Sequence, residues 1–172
     1  SWDLEKLTEI INEQNLNPKY IVNTHWHDDH TRGNEDLAKE LSVKIVQHSA
    51  SQLKNDLTVS DGDSIKFGCS ELAVYHTPGH SKDGICLVGD GKIFSGDTLF
   101  VGNCGRIDLP GGSAKELYHG LFDVIANLSD DLVLYPGHDY GSSSTSTIGK
   151  EKQTNPVMQK MSENEFVERM GG

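Results

Sequence analysis

The sequence predicts an α/β protein in which mixed β-sheets pack against outer helices. Segments with apolar residues at helical spacing, such as residues 2–15 and 115–128, alternate irregularly with short apolar runs that are typical of strands, such as residues 20–22 and 85–88. Because strands and helices are mixed without strict alternation, we expect a mixed sheet with helices packed outside it.

Length and composition are those of a single globular domain over residues 1–172. Apolar residues make up 35% of the chain and charged residues 24%, which excludes a disordered protein. The formal net charge of -11 predicts no nucleic-acid partner, because an acidic surface repels phosphate backbones. No apolar run is long enough for a membrane span and no signal peptide is evident. Three cysteines, an odd number without a C-x-x-C pair, predict reduced thiols and a cytoplasmic location.

The individual elements follow from periodicity and from turn residues. Helices are predicted at residues 2–15, 34–41 and 115–128, and a short final helix is predicted to begin at Ser162 with Glu165 completing a capping box. Strands are predicted at residues 20–22, 43–46, 64–67, 72–75, 85–88, 92–94 and 132–135. Residues 89–91 predict a hairpin turn, and residues 102–113 and 141–147 predict loops.

The densest chemistry lies directly after the first predicted strand, at residues 25–30. Five of these six residues can ligate a metal ion: His25, His27, Asp28, Asp29 and His30. A loop that leaves a sheet at its edge is a usual place for a binding site. Asp28 is predicted to point away from the ion, as a loop acid or a partner of a ligand.

Three further candidates each end a predicted strand, and a glycine precedes each of them. They are His80, Asp97 and His138. Glycine lets the backbone turn sharply and approach an ion closely. Imidazoles and carboxylates together suit zinc, iron or manganese, and we expect Zn²⁺, as one or two ions, or Fe²⁺.

Other reactive side chains are predicted to be structural. His48, His76 and His119 are expected to be ordinary polar residues at the rim of the fold. Cys69 and Cys86 lie in or beside predicted strands and are expected in the core, whereas Cys104 lies in a glycine-rich loop.

The ordered set of ligands resembles the metallo-β-lactamase superfamily. The family pattern T-H-x-H-x-D-H, G-H, G-D, G-H is present at residues 24–30, 79–80, 96–97 and 137–138. The resemblance covers essentially the whole chain and implies the αββα sandwich of that family. It implies that His25, His27 and His80 hold one metal, that Asp29, His30 and His138 hold a second, and that Asp97 bridges them.

Within the superfamily, the chain is similar to the glyoxalase II and persulfide dioxygenase branch. The segments that carry this similarity are residues 77–80, 96–100, 104–106, 135–140, 146–149, 155–156 and 165–166. His138-Asp139-Tyr140 and Asn155-Pro156 are closer to persulfide dioxygenases. Residues 81–84 depart from the Thr-x-Gly that usually follows the histidine.

Three functions are compatible with this pattern. The first is hydrolysis of a thioester of the hydroxyacylglutathione type by metal-activated water, with Asp29 and Asp97 as the catalytic carboxylates. The second is iron-dependent persulfide dioxygenation, with His25, His80 and Asp97 as the implied iron ligands. The third is a metal-binding domain without activity. A complete two-metal ligand set exceeds what an oxygenase requires, which favours hydrolysis.

The substrate is expected to be a small thiol-derived molecule. Arg106 is a candidate for binding a carboxylate of the thiol carrier, with a surface ion pair as the alternative, and Tyr140 is a candidate for a hydrogen bond to the same carrier.

By comparison with the family, strands that normally precede the first helix are expected to be missing here. Apolar residues should then face a layer that those strands would cover: Ile10, Ile11, Ile21, Val22 and Ile45. We therefore expect a second copy of the chain or a complementing N-terminal fragment as a partner.

Overall fold

The structure is a computed structural model that describes residues 4–171, in which two β-sheets pack face to face between outer helices. The α-helices are α1 (Leu4–Glu13), α2 (Asp28–Thr31), α3 (Asn34–Leu41), α4 (Ala114–His119), α5 (Ile148–Thr154) and α6 (Glu163–Met170). The strands are β1 (Tyr20–Val22), β2 (Lys44–His48), β3 (Leu57–Val59), β4 (Ser64–Phe67), β5 (Ser70–His76), β6 (Ile85–Gly89), β7 (Lys92–Gly96), β8 (Leu99–Phe100), β9 (Asn103–Cys104), β10 (Val133–Pro136) and β11 (Ser146–Thr147).

The first sheet has three parallel strands in the order β1-β2-β3. The second sheet has six strands in the order β11-β10-β7-β6-β5-β4. It is mixed, because β10 runs parallel to β7 while every other pair of neighbouring strands in the sheet is antiparallel. A separate hairpin of β8 and β9 follows β7. The expectation of mixed sheets with outer helices is confirmed.

Two apolar clusters form the core. The cluster between the sheets joins side chains of β2 and β3 to side chains of β4, β5 and β6, and consists of Val46, Val59, Ile65, Val74, Ile85 and Leu87. The other cluster lies between the six-stranded sheet and the C-terminal helices and includes Cys86, Ile93, Leu134, Leu117, Ile148 and Phe166. Strand β6 contributes to both, because successive strand side chains point to opposite faces.

Strand direction determines where the functional residues meet. Strands β5 and β7 are both antiparallel to β6, and β10 is parallel to β7, so β5, β7 and β10 run in the same direction. Their carboxyl ends therefore lie at one edge of the sheet. The loop after β1 reaches this edge too, because the Ile85 N–H donates to the Thr24 carbonyl at 2.9 Å.

Most predicted elements are present within a residue or two of their predicted bounds. The predicted helix at residues 2–15 is observed as α1, and its first two residues lie outside the described part of the chain. The predicted helix at residues 115–128 is correct in position but changes character, because α4 continues as a π-helical segment at Gly120–Val124 and a 3₁₀ turn at Ile125–Asn127. The capping box of α6 is present as predicted.

Several expectations were wrong. The predicted loops at residues 102–113 and 141–147 contain β9 and β11, and neither β3 nor α5 was predicted. Cys69 is exposed rather than in the core, because it lies at the turn between β4 and β5. His48 is buried rather than at the rim, because its ring stacks on that of His76 at a centroid distance of 4.0 Å.

The apolar residues expected to face a missing layer differ in their exposure. Ile10, Ile11, Ile21 and Val22 are only partly buried, and β1 forms an edge of its sheet among the described strands. Ile45 does not fit the expectation, since it is 6% exposed within the chain itself. Within residues 4–171, no helix has the length and apolarity that crossing a membrane requires.

Candidate metal centre

The first histidines of the site are held where β1 ends. His25 is buried, and its Nδ1 lies 3.2 Å from Thr24 Oγ1. Because Thr24 is also tied to the start of β6, the turn that presents His25 is fixed between the two sheets. The short helix α2 follows and places Asp29 and His30 on the same side of the loop, while Asp28 forms an exposed ion pair with Arg32.

His80 is held in a defined orientation. Its Nδ1 donates to the Arg106 carbonyl at 2.7 Å, so the lone pair of the neutral ring lies on Nε2. That Nε2 lies 2.9 Å from His27 Nδ1, and the rings of His25, His27 and His80 surround a common space with centroid distances of 4.6 to 5.0 Å. A backbone carbonyl that fixes the tautomer of a histidine is a common partner of a metal-binding imidazole.

Asp97 lies between two groups of histidines, with His80 on one side and His30 and His138 on the other. Its Oδ1 is 3.3 Å from His30 Nε2, and its Oδ2 is 3.5 Å from His80 Nε2 and 3.3 Å from His138 Nε2. On the far side, His138 Nε2 lies 3.3 Å from Asp29 Oδ2 and 3.1 Å from His30 Nε2. One carboxylate therefore contacts histidines of both groups.

All seven residues that the sequence singled out as metal ligands converge at this edge. Their donor atoms form three overlapping groups within which all atoms lie within 4.8 Å of one another: His25, His27 and His80; His25, His30 and Asp97; and Asp29, His30 and His138. The first and third of these groups are the two ligand sets that the family resemblance implies. Asp28 belongs to none of the groups found among the described residues.

Steric crowding excludes a side chain at Gly137, the residue before His138. A Cβ atom on Gly137 would lie 2.3 Å from Asp97 Oδ1 and 2.9 Å from His30 Cε1. Gly96 adopts a φ of +50°, and a Cβ atom there would lie 2.5 Å from Thr24 Oγ1. A side chain at Gly137 would occupy the space that two ligands need, and one at Gly96 would displace Thr24, which precedes His25. These contacts explain the two glycines more specifically than backbone flexibility does.

Burial sets the protonation of the site. Burial and the neighbouring imidazoles lower the pKa of His25 to about 2, and burial lowers the pKa of His30 to about 4 and also lowers those of His27 and His80. Burial raises the pKa of Asp97 to about 6. At neutral pH these four imidazoles are therefore uncharged, which is the form that binds metals.

The site fits a metal ion. Among the described residues, His25 Nε2, His27 Nε2 and Asp97 Oδ1 are buried atoms that form no hydrogen bond. Buried polar atoms without partners cost free energy in a folded protein unless something else satisfies them. A cluster of neutral imidazole nitrogens and carboxylate oxygens is a donor set that suits Zn²⁺ or Fe²⁺.

We expect the metal-free protein to lose stability as the pH falls from 6.5 towards 5, on the order of 2 kcal/mol in total. The unfolded histidines bind protons below their ordinary pKa of 6.5, whereas folded His25 and His30 stay neutral. Asp97 acts in the opposite direction below its folded pKa of about 6, but one carboxyl does not offset several histidines. Urea unfolding of protein stripped of metal by a chelator, at several pH values, measures this. Asp97→Asn should make the free energy of unfolding fall more steeply with falling pH. A free energy of unfolding that stays constant or rises between pH 6.5 and 5 would contradict it.

An open cleft of about 480 Å³ leads to the donors. Its walls include His27, Asp29, His80, Asp97 and His138 on the metal side, and residues 100–104, Arg106, Leu109 and Tyr140 opposite and around them. The ring of Tyr140 is exposed and stacks on His138 at 4.7 Å, and the ring of Phe100 contacts both of them edge-on.

Both predicted substrate contacts lie on this cleft. Arg106 is well exposed, and its guanidinium forms a two-point ion pair with Asp108 at 2.5 Å for each contact. The structure thus contains the surface ion pair considered as an alternative, at a place where a substrate carboxylate could also reach the guanidinium. The wall at residues 100–104 was missed as a functional element, although the apolar pair Leu99-Phe100, two residues after Asp97, was a signal for it.

Comparison with known proteins agrees with this geometry. The sequence profile of the metallo-beta-lactamase superfamily matches residues 1–52 and 48–138. The chain is 38% identical over 166 residues to the mitochondrial persulfide dioxygenase ETHE1 of Homo sapiens, covering 95% of this chain and 65% of that protein. It is 39% identical over 137 residues to the hydroxyacylglutathione hydrolase of Tolumonas auensis, covering 77% of this chain and 52% of that protein.

Among solved structures, ETHE1 from Myxococcus xanthus superposes with a TM-score of 0.90 at 30% identity, covering 99% of this chain and 76% of that one. A fold of two packed sheets with a cluster of histidine and aspartate side chains at their edge is that of an α/β protein with a metal-binding centre. The chain belongs to the metallo-β-lactamase superfamily. It spans about two thirds or less of the length of the two curated relatives described above.

Proposed function

We propose that this chain carries the active centre of a metal-dependent enzyme that hydrolyses a thioester of a small thiol. The observation that supports hydrolysis is that Asp97 contacts a histidine of each of two donor groups, His80 in one and His30 in the other. Two ions held a few ångströms apart can activate and orient one water molecule and stabilise the charge that develops on a carbonyl oxygen.

In this proposal the residues have separate tasks. One ion would be held by His25, His27 and His80 and the other by Asp29, His30 and His138, and Asp97 would be available to both. The Arg106 carbonyl keeps His80 Nδ1 protonated, so its Nε2 stays available. Asp29 would accept a proton from the attacking water, and the exposure of about half of its side chain on the cleft wall supports this role. Tyr140 and Arg106 line the open side, where the thiol carrier would lie.

Iron-dependent persulfide dioxygenation is the second candidate. What supports it is the extent of the similarity, since the human persulfide dioxygenase aligns with 95% of this chain, against 77% for the hydroxyacylglutathione hydrolase. In that case His25, His80 and Asp97 would hold iron and leave open positions for oxygen and sulfur. Both candidates require a small thiol-derived substrate.

One pair of assays separates the two functions. Protein loaded with zinc or with iron is incubated with an acyl-glutathione thioester while free thiol is trapped, and separately with glutathione persulfide while dissolved oxygen is recorded. Thiol release is the expected result. Iron-dependent oxygen uptake without thiol release would replace hydrolysis by dioxygenation. If a chain extended to the length of its relatives is silent in both assays, the centre is a metal-binding domain without either activity.

We expect Arg106→Ala to raise KM about threefold to tenfold for a carrier with a carboxylate and to leave metal content unchanged. The effect is limited because the guanidinium of Arg106 is already paired with Asp108. The binding free energy that a substrate carboxylate gains is only the difference between its own ion pair with Arg106 and the existing pair with Asp108. Steady-state kinetics on a carboxylate-bearing thioester and on a neutral one measure this. A KM that stays the same for the charged substrate would place Arg106 outside the binding site.

The proposal extends to the cellular compartment of this chain and to its protein partners. All three cysteines are free thiols, which is compatible with a reducing, cytoplasm-like environment. A second copy or an N-terminal fragment along the edge at β1 remains a prediction, which analytical ultracentrifugation can test.

A further inference from the structure

A buried carboxylate lies behind the cleft, on a helix that provides none of the seven metal ligands. Glu151 of α5 is 1% exposed, and Asn155, one turn further on, is fully buried. A carboxylate withdrawn from water is costly unless hydrogen bonds satisfy it, and a leucine would pack in such a place at lower cost. The position therefore needs an explanation beyond core packing.

Three side-chain hydrogen bonds of Glu151 and Asn155 lead to one hairpin. Glu151 Oε2 accepts from the Gly102 N–H at 2.8 Å and from Asn155 Nδ2 at 2.9 Å, and Glu151 Oε1 accepts from Ser146 Oγ at 2.5 Å. Asn155 Nδ2 also donates to the Phe100 carbonyl at 3.2 Å and to the Asn103 carbonyl at 3.1 Å. The two side chains thus hold the turn between β8 and β9 by its backbone.

The other side of this hairpin is the wall of the cleft. Residues 100–104 all line the cleft, and the Phe100 ring packs against His138 and Tyr140. The next segment is tied to the hairpin as well, because Gly141 lies so close to Val101 that a Cβ atom on it would be 2.6 Å from Val101 Cβ. Fixing the hairpin from behind therefore fixes the distance between this wall and the metal ligands.

We propose that Glu151, acting with Asn155, is a positioning residue that sets the shape of the substrate side of the cleft. The role rests on the proposed function, in that the wall is taken to contact the thiol carrier. Its hydrogen bonds include the wall at Gly102 and none of the metal donors, so its loss should affect substrate binding more than the metal-dependent step.

The substitutions follow from the hydrogen bonds. Glu151→Ala removes all three contacts. Glu151→Gln can keep them, because its oxygen can accept from Gly102 and Asn155 while its amide donates to the Ser146 hydroxyl, which can accept as well as donate. Lys152→Ala is the matched control on the same helix, since Lys152 binds the Leu128 carbonyl and Asp130 and does not touch the hairpin. If the alanine variant does not fold, Glu151→Asp replaces it in the measurements, because the shorter side chain does not reach the Gly102 N–H.

Kinetics, metal content and amide hydrogen exchange are measured on the metal-loaded variants. Glu151→Ala, or Glu151→Asp to a smaller degree, should raise KM for the accepted thioester or persulfide about tenfold while kcat per bound metal changes less than about twofold. Exchange of the Gly102 amide should accelerate by at least about tenfold, and Glu151→Gln and Lys152→Ala should match the wild type. A merely structural role would instead lower the active fraction and leave KM unchanged.

Two results would overturn the proposal: loss of metal or of kcat at constant KM, or Gly102 exchange that is the same in the glutamate variants and in the wild type. If the wild type acts on neither substrate, the proposed function fails, and amide exchange alone still decides whether Glu151 holds the wall.

Discussion

Replacing Asp97 by alanine is expected to remove more bound metal than any other single substitution among the seven ligands. Asp97 contacts His30 and His138 on one side and His80 on the other. In the proposed assignment each histidine would hold only one of the two ions. Losing this carboxylate weakens the binding of both ions together and removes the negative charge nearest the centre of the cluster. We expect at least a hundredfold weaker metal binding, judged from the effect of removing partners around metal sites. Metal content after dialysis against graded chelator concentrations measures it.

Asp97→Asn provides the control, because it keeps the shape and one oxygen of the side chain and removes only its charge. It should retain more metal than Asp97→Ala. The assignment of Asp97 as the shared ligand is wrong if His25→Ala or His138→Ala empties the protein while Asp97→Ala stays loaded.

Replacing Gly137 by alanine is expected to damage the site almost as severely, although glycine provides no ligand. The added Cβ would lie 2.3 Å from Asp97 Oδ1 and 2.9 Å from His30 Cε1, so the carboxylate, the ring or the loop itself must move. We expect a 10- to 100-fold loss of metal affinity, the range found when groups around metal ligands are disturbed. Isothermal titration with zinc, on protein stripped of metal, gives the affinity directly.

Gly120→Ala is a matched control for this prediction. Gly120 has helical backbone angles, with a φ of -58°, and a Cβ atom there would meet Thr77 at an ordinary contact distance of 3.4 Å. It should bind zinc as the wild type does. Equal zinc affinity of the Gly137 and Gly120 variants would show that the loop before His138 has room that the structure does not suggest.

The ligands could be predicted from the sequence because each of them follows a strand and carries its chemistry in its side chain. His80, Asp97 and His138 end strands that run in one direction, so the sheet itself brings them to a common edge. Periodicity alone was sufficient for β4 and α3, whose observed bounds are those predicted. In these elements, the secondary structure that the local sequence pattern favours is also the one that packing in the fold requires.

Where the sequence failed, tertiary contacts decide the structure. The serine-rich segment at residues 141–147 has the composition of a loop, yet its end pairs with β10 as β11 and leads into α5. Helix α4 continues into a π-helical segment although its residues have ordinary helical spacing. Glu151 looks like any surface glutamate in the sequence, and only the fold brings it to Gly102. No local rule predicts such a contact, because its partners are far apart in the chain.

The donors of the site come from two sheets that share no hydrogen-bonded strand. His25, His27 and His30 follow β1 of the parallel sheet, whereas His80, Asp97 and His138 follow strands of the mixed one. An ion bound here would therefore act as a cross-link between two sheets that are otherwise joined by the apolar cluster and by hydrogen bonds such as that from the Ile85 N–H to the Thr24 carbonyl. Folding and metal uptake would then be thermodynamically linked, since a ligand that binds only the folded chain stabilises it in proportion to the logarithm of its concentration. The metal-free chain should therefore be cut by proteases faster than the metal-bound chain.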